Sequence, residues 1–433
     1  MKVLYLTTSL VSIEHDHFFT QNVLNGLIDK GLEITALSLL HGPAGRVEIE
    51  KTKHRAIDYY RILIDPKIPD QQTTQILREQ FARIKPDVIH LNGYHISEID
   101  AALELNIPIV ITVHEGGVIC SGGRGFLNWK DEICNAPVSQ ENCYKCCIRN
   151  FPAWRLWYIL FSCIPLNIRM KLGSIARNRK FVPILSPAFM YSALIAEKTA
   201  FVDKLKSICA IIVASTRLKE AFERNGIENN LALIPHGIPN LKRYALPPIE
   251  DKIKFFYLGR VEYSKGIHVM IDAFKGIDCQ KYELHIIGDQ PGTSSRRIRR
   301  YNKYVLKKGK GQNIFWHGRV APEKIEELIS QFHVMIHPAI YLEVFGTSIS
   351  ESLSVGRPVL ATRCGGAEMQ IKDGYNGWLV NPNSSIELSA KVREIIEDPE
   401  IIMKYSNNCC IPKFDEYLSK LIGLYSVCHS IID

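Results

Sequence analysis

The stretch Ile253-Lys-Phe-Phe-Tyr-Leu-Gly-Arg-Val-Glu-Tyr-Ser-Lys-Gly266 opens with six residues of strand character, turns on a glycine, carries two cations five positions apart and ends on a second glycine. Behind it Val269, Met270, Ala273 and Phe274 recur at helical spacing. Strand, glycine turn and helix form the opening unit of a parallel α/β sheet. The strands expected to follow are Tyr282–Ile287, Ile314–His317, Val334–His337 and Pro358–Ala361.

Upstream, the proline-containing stretch Pro235–Pro248 separates this run from an earlier one of the same kind. Lys2–Thr7, Glu33–Leu39, Asp87–Leu91 and Ile107–His114 read as strands, with Phe18–Lys30, Thr73–Ile84 and Ser97–Leu105 as amphipathic helices between them. Apolar strands alternating with helices mean a doubly wound parallel sheet. At 433 residues the chain is also too long for one ordinary core. The expected architecture is therefore α/β, with two tandem Rossmann-like domains facing a central cleft. Residues 1–245 form the first domain, with a cysteine-containing insert, and residues 246–411 the second. Residues 412–433 hold a closing helix, Phe414–Tyr425. Open α/β sheets bind ligands beyond the carboxyl ends of their strands, so the shared cleft is where function is expected.

Apolar residues make up 46% of the chain and charged residues 23%, mean hydropathy is near zero and there is no low-complexity tract, so the chain is expected to fold throughout. The first apolar run is interrupted by Glu14, His15 and Asp16, too early for a signal peptide. The run Trp157–Ile168 is broken by Pro165 and falls short of the roughly 20 residues that cross a bilayer. Cytoplasmic residence is the expectation, and twelve cysteines in that setting are expected mostly as reduced thiols. The net charge of +8 concentrates in Arg169–Lys180 and Arg296–Lys310. The latter reads as a solvated helix face; no aromatic-interleaved basic strand or helix-turn-helix accompanies it, so nucleic acid is not an expected partner.

Arg260 and Lys265, before a helix N-terminus, suit a diphosphate, although two such cations in isolation are as readily surface residues. A second stretch follows, Pro338-Ala-Ile-Tyr-Leu-Glu-Val-Phe-Gly-Thr-Ser-Ile-Ser-Glu351. Glu343 falls in a loop, Phe345, Gly346 and Thr347 open a helix, and Glu351 lies about one turn inside it. A carboxylate there can accept two hydrogen bonds from a vicinal diol such as a ribose, while the helix N-terminus faces phosphates.

In order, Gly259-Arg260, Lys265-Gly266, Ile287-Gly288, Gly318, the two glutamates with Phe-Gly after the first, Gly356-Arg-Pro-Val359, Gly365-Gly-Ala-Glu368 and Asn376-Gly377 resemble the retaining glycosyltransferases of family 4, whose signature is Glu, seven residues, Glu. The resemblance implies the GT-B architecture and a nucleotide-diphospho-sugar donor. By it, Arg260 and Lys265 neutralise the donor diphosphate and Glu351 holds the ribose. Glu343 and the backbone of Phe345, Gly346 and Thr347 contact the donor sugar. The glutamates are implied to bind rather than to act as a glycosidase-type acid and nucleophile pair, and catalysis is implied to need no metal. The implied acceptor is a hydroxyl of a glycan or a lipid-linked molecule, in surface polysaccharide or lipopolysaccharide biosynthesis. The loop Thr7-Thr-Ser-Leu-Val-Ser12 departs from the family in having no glycine.

In the first half, His114 ends a strand in Thr112-Val-His-Glu-Gly-Gly117 and points toward the predicted cleft. The resemblance places it near the transferred sugar, and a strand-end hydrogen-bonding role is the plainer alternative. His90 and His236 read as structural. Cys120, Cys134, Cys143 and Cys146 fall in one insert, and only the last two have Cys-x-x-Cys spacing; a structural Zn²⁺ and separate reduced thiols both fit. Trp154–Phe161, with Arg169, Lys171, Arg177, Arg179 and Lys180 beyond, combines aromatics and cations as membrane-interfacial segments do, although a pair of core helices in the first domain is the plainer reading. Two other functions share this shell: a nucleotide-sugar epimerase and a non-catalytic nucleotide-sugar sensor.

Overall fold

A computed structural model describes residues 1–7, 18–54, 56–93, 96–123, 125–149, 154–178, 186–239, 241–288 and 296–430. The glycine-free loop that follows Thr7 lies outside them.

The first half builds an eight-stranded sheet from β1 (Lys2–Thr7), β2 (Glu33–His41), β3 (Val47–His54), β4 (Ile57–Ile64), β5 (Val88–Asn92), β6 (Ile109–Thr112), β7 (Ala210–Val213) and β8 (Leu231–Leu233). Its order is β3-β4-β2-β1-β5-β6-β7-β8, parallel throughout except for the β3–β4 hairpin. All five residues of β5 are buried, as expected of an interior parallel strand covered on both faces. The hairpin is absent from the sequence expectations. Its outer strand leaves Val47 and Ile49 partly exposed among Glu48, Glu50, Lys51 and Lys53, charges that discourage further strands from pairing with the edge.

The second half builds an all-parallel sheet from β9 (Ile253–Leu258), β10 (Tyr282–Ile287), β11 (Ile314–Gly318), β12 (Val334–His337), β13 (Val359–Thr362) and β14 (Gly377–Val380), in the order β11-β10-β9-β12-β13-β14. The strand order reverses at β1 in the first sheet and at β9 in the second. Crevices at such points are where ligands enter open α/β sheets.

The helix Phe414–Ser430 returns to the first half. Leu418, Leu421 and Tyr425 are buried in the same cluster as Val3, Tyr5, Leu24 and Val88. Burial of each such side chain stabilises by about 1.5–3 kcal/mol. Gly26 gives the helix room, since a Cβ there would meet Leu418 Cδ1 at 2.5 Å. Cys209 and Cys428 form a disulfide that pins the helix beside β7, so two of the thiols expected as reduced are paired. His90 is buried between Tyr425 Oη (2.5 Å) and Thr112 Oγ1 (2.8 Å), and burial pushes its pKa down to about 3, leaving a neutral ring. Among the described residues no helix is long and apolar enough to cross a membrane.

Candidate functional site

A cavity of about 640 Å³ lies between the two sheets, lined from the first half by residues including His114, Glu115 and Arg149 and from the second by residues including Arg260, Lys265, Tyr341 and Glu343. The backbone explains why the second-half groups converge. After β9 the chain turns through Tyr263–Lys265 to Gly266, whose φ is +71° and where a Cβ would lie 1.9 Å from the Pro338 carbonyl oxygen. Only glycine permits that approach. It lays the Lys265 turn against the loop after β12, where the Ile340 N–H donates to the Ser264 carbonyl (2.9 Å).

That loop is held on two further sides. The Leu342 N–H donates to the Gly125 carbonyl of the first half (3.1 Å) and the Glu343 N–H to the Cys364 carbonyl (2.8 Å), while the Glu343 carbonyl accepts from the Gly366 N–H (2.9 Å). The Glu343 side chain is thereby delivered to Lys265 Nζ, 2.5 Å from Oε2, with His337 Nε2 at 3.5 Å from the same oxygen. The Lys265 and Glu343 side chains are only 13% and 11% exposed. Burial alone would push the Glu343 carboxyl up, but Lys265 and His337 outweigh it and hold the carboxyl well below the usual range. Burial opposes the Lys265 charge, and Glu343 more than compensates. His337 is shifted down by burial and stays neutral near pH 7. Lys265 Nζ also lies 5.2 Å from the centre of the Tyr341 ring.

Arg260 is the exposed cation of the pair: its side chain is 71% exposed and lies 3.2 Å from Glu262. Across the cavity, His114 Nε2 is 2.9 Å from Asn92 Oδ1, which also accepts from Tyr5 Oη (3.1 Å). The His114 ring stands 5.1 Å from that of His236, which is buried and pushed well below the ordinary histidine pKa by that burial and by His114.

Phe345, Gly346, Thr347 and Glu351 stand beside this group without lining the cavity. The Phe345 ring is buried at the junction of the halves, edge-on to His236 at 5.4 Å. Gly346, at φ +80°, opens the helix Thr347–Ser354, and Thr347 is exposed. Glu351 lies one turn into that helix, and burial pushes its carboxyl up to about 7.

The cavity also gathers residues that were not expected from the sequence. Arg149 makes a two-pronged ion pair with Asp131 (2.9 and 2.6 Å), and Asp131 accepts from Tyr263 Oη of the second half at 3.2 Å. His337 backs Glu343. His337 and Tyr341 carry the polar groups that end β12 and begin the loop already singled out, a signal that was available. Arg149 reaches the site only through tertiary packing.

The zinc reading of Cys120, Cys134, Cys143 and Cys146 is corrected. The insert draws Cys120 and Cys146 together around Gly122. Yet among the described residues no three His, Cys, Asp or Glu side chains are placed to hold a metal ion. The Cys146 thiol turns to the Asn142 carbonyl (3.9 Å) and that of Cys134 to the Ala136 carbonyl (4.0 Å). Burial raises the Cys146 thiol to about 11. All four are free thiols.

A family model described as Glycosyl transferases group 1 matches residues 241–409, the segment that carries β9–β14. Among curated proteins, an uncharacterised glycosyltransferase of Methanocaldococcus jannaschii is 25% identical over 53% of this chain and 63% of its own length. The lipopolysaccharide 1,2-N-acetylglucosaminetransferase of Salmonella typhimurium is 26% identical over 48% of this chain and 61% of its own. The α-D-kanosaminyltransferase of Streptomyces kanamyceticus is 28% identical over 42% of this chain and 47% of its own. This chain thus spans between about half and two thirds of these relatives. Among solved structures, sucrose-phosphate synthase from Thermosynechococcus elongatus superposes with a TM-score of 0.68 at 16% identity, covering 100% of both chains. HepE of Anabaena, in complex with UDP and glucose, gives 0.59 at 16% identity, covering 100% of this chain and 99% of that one. The fold is the GT-B arrangement of two Rossmann-like domains.

Proposed function

We propose that this protein is a retaining, hexosyl-type glycosyltransferase that moves a sugar from a nucleotide-diphospho-sugar to a hydroxyl of a glycan or lipid-linked acceptor. The observation that carries the proposal is the buried Lys265–Glu343 pair at the carboxyl ends of β9 and β12, facing His114 across one cavity. The match of residues 241–409 to group 1 glycosyltransferases supports it.

Breaking a glycosyl–phosphate bond leaves negative charge on the diphosphate. Arg260 and Lys265 stand where fixed cations stabilise that charge, in a partly dry site where such stabilisation is strongest. In this reading Lys265 turns from Glu343 to the phosphate, and Glu343 accepts hydrogen bonds from the donor sugar. The N–H groups that open the helix at Phe345, Gly346 and Thr347 face the phosphates, and Glu351 accepts from the ribose diol. His114, oriented by Asn92, hydrogen-bonds the transferred sugar. With its oxygens taken up by hydrogen bonds from the donor sugar, Glu343 is a poor nucleophile in this reading, which favours front-face attack in which the departing phosphate oxygen takes the acceptor's proton. The cations perform the charge neutralisation that a divalent metal performs elsewhere. Surface polysaccharide or lipopolysaccharide assembly at the cytoplasmic face is the setting we assign.

The test is a calorimetric and thermal-shift panel of UDP-, GDP- and ADP-sugars against wild type and Glu351→Ala, because a ligand that binds the native state raises its apparent stability. One nucleotide class should bind, and the variant should lose it by about tenfold or more, the weight of a charge-assisted hydrogen bond. Failure of every nucleotide sugar to bind wild type would sink the proposal. Isomerised donor without acceptor would point to an epimerase, and binding with neither transfer nor isomerisation to a sensor.

A further inference from the structure

The helices Trp154–Ser162 and Leu166–Asn178 are apolar on the wrong side as well as the right one. Inward, Trp157, Tyr158 and Phe161 pack with Tyr144, Ile148 and Phe189 into a cluster of their own, separate from either sheet's core. Outward, Leu156, Ile159 and Leu160 are 58, 60 and 51% exposed, at the i, i+3, i+4 spacing of one helix face. On the second helix Ile168, Leu172 and Ile175, at i, i+4, i+7 spacing, share a face and are each more than a third exposed. Exposed apolar faces of this kind mark interaction surfaces. In the first helix only Phe161 is buried, so a core-helix reading accounts for its inner face and leaves the outer one unpartnered.

Charge selects the occupant. From Asn142 to Ala196 the sequence holds no aspartate or glutamate, while it holds Lys145, Arg149, Arg155, Arg169, Lys171, Arg177, Arg179 and Lys180. Exposed leucines and isoleucines in a stretch that carries cations and no acid over 55 residues match the acyl boundary and phosphate layer of an anionic bilayer. A soluble partner surface of mixed charge would leave that bias unexplained. The patch also shares its support with the cavity. The helix Gln140–Ile148 under it leads directly to Arg149 in the cavity wall. Lys198, on the neighbouring helix Ser186–Leu205, donates to the Gly117 and Val118 carbonyls at the cavity rim (3.1 and 2.9 Å).

We propose that the outward face of these two helices docks on an anionic lipid bilayer and so presents the cavity to acceptors held in it. The acceptor clause rests on the transferase reading above; the docking does not.

Flotation of the full chain with phosphatidylglycerol/phosphatidylcholine vesicles, and with phosphatidylcholine alone, tests it. The protein should float with the anionic vesicles and not the zwitterionic ones, and salt should release it. The combined substitution Leu156→Ser, Ile159→Ser and Leu160→Ser, all on exposed positions, should cut the floated fraction by about tenfold with an unchanged thermal unfolding profile. Arg169→Glu with Lys171→Glu should do the same through charge. Absence of flotation, flotation indifferent to lipid charge, or a dimer in sedimentation that the serine variant dissociates would overturn the proposal, the last because a second copy would then cover the face. Nucleotide-sugar binding measured on the same preparation separates the failures. A protein that binds donor but does not float loses only the docking, and one that floats but binds no donor loses only the transferase reading.

Discussion

Lys265 and Glu343 bury opposite charges in contact, and each is tolerable only because of the other. Replacing Lys265 by Met leaves a buried carboxylate unpaired, and the expected cost is about 3–5 kcal/mol, read as a lower urea midpoint. The double substitution Lys265→Met with Glu343→Leu should recover most of that stability and none of the transfer activity, which separates folding from function. Glu351 gives a pH signature. A carboxyl raised from 4.5 to about 7 by burial ionises first in the unfolded chain, so stability falls as pH rises through that interval. Glu351→Gln should flatten this slope in melts taken across it. Donor affinity in the wild type should rise over the same interval, because the carboxylate accepts from a diol better than the acid does. These residues were identifiable because their types and spacing carry the chemistry. His337 and Arg149 join them through contacts between distant segments, to which local periodicity is blind.

Elements position those residues through buried polar joints. Arg357, in Gly356-Arg-Pro-Val359, is fully buried and donates to the carbonyls of Tyr244, Ala245, Ser330 and Val355, fastening the segment before β9 to the second sheet. Arg357→Ala takes a donor from all four carbonyls, of which that of Val355 keeps the Tyr244 N–H (3.3 Å), and should destabilise that half by about 3 kcal/mol or more, followed through the fluorescence of the buried Trp378 in β14. A lysine cannot substitute, since an ammonium has three donors and lacks the guanidinium's reach. Most parallel strands of both sheets were legible because burial on both faces makes them short apolar runs, as β5, β9 and β12 illustrate, whereas β7, β8 and β14, of three or four residues each, are short enough to be missed. The β3–β4 hairpin was not: β3 lies at an edge, its alternation is diluted by charges, and the pairing is decided by β4 joining β2. The two helices after Trp154 could be read either way, because composition alone does not say which apolar face finds a neighbour.

At the scale of the whole molecule, the Cys209–Cys428 bond closes a loop of 219 residues that contains the entire second sheet. Constraining so long a loop in the unfolded chain stabilises by about 5 kcal/mol on the entropic account. Reduction, or Cys428→Ser, should therefore lower the thermal midpoint while leaving donor affinity unchanged, since neither cysteine is near the cavity. The same return of the chain has a mechanical side. The polypeptide passes from the first half to the second once near Gly237 and comes back once before Phe414, and these passages touch: a Cβ on Gly237 would lie 2.7 Å from Tyr417 Cβ and 3.3 Å from Phe414 Cα. Two adjacent crossings act like the two pins of a door. Any opening of the cavity mouth would then turn about an axis through the glycine contact and break the joins between the halves at Leu342–Gly125, Tyr263–Asp131 and Arg217–Glu368.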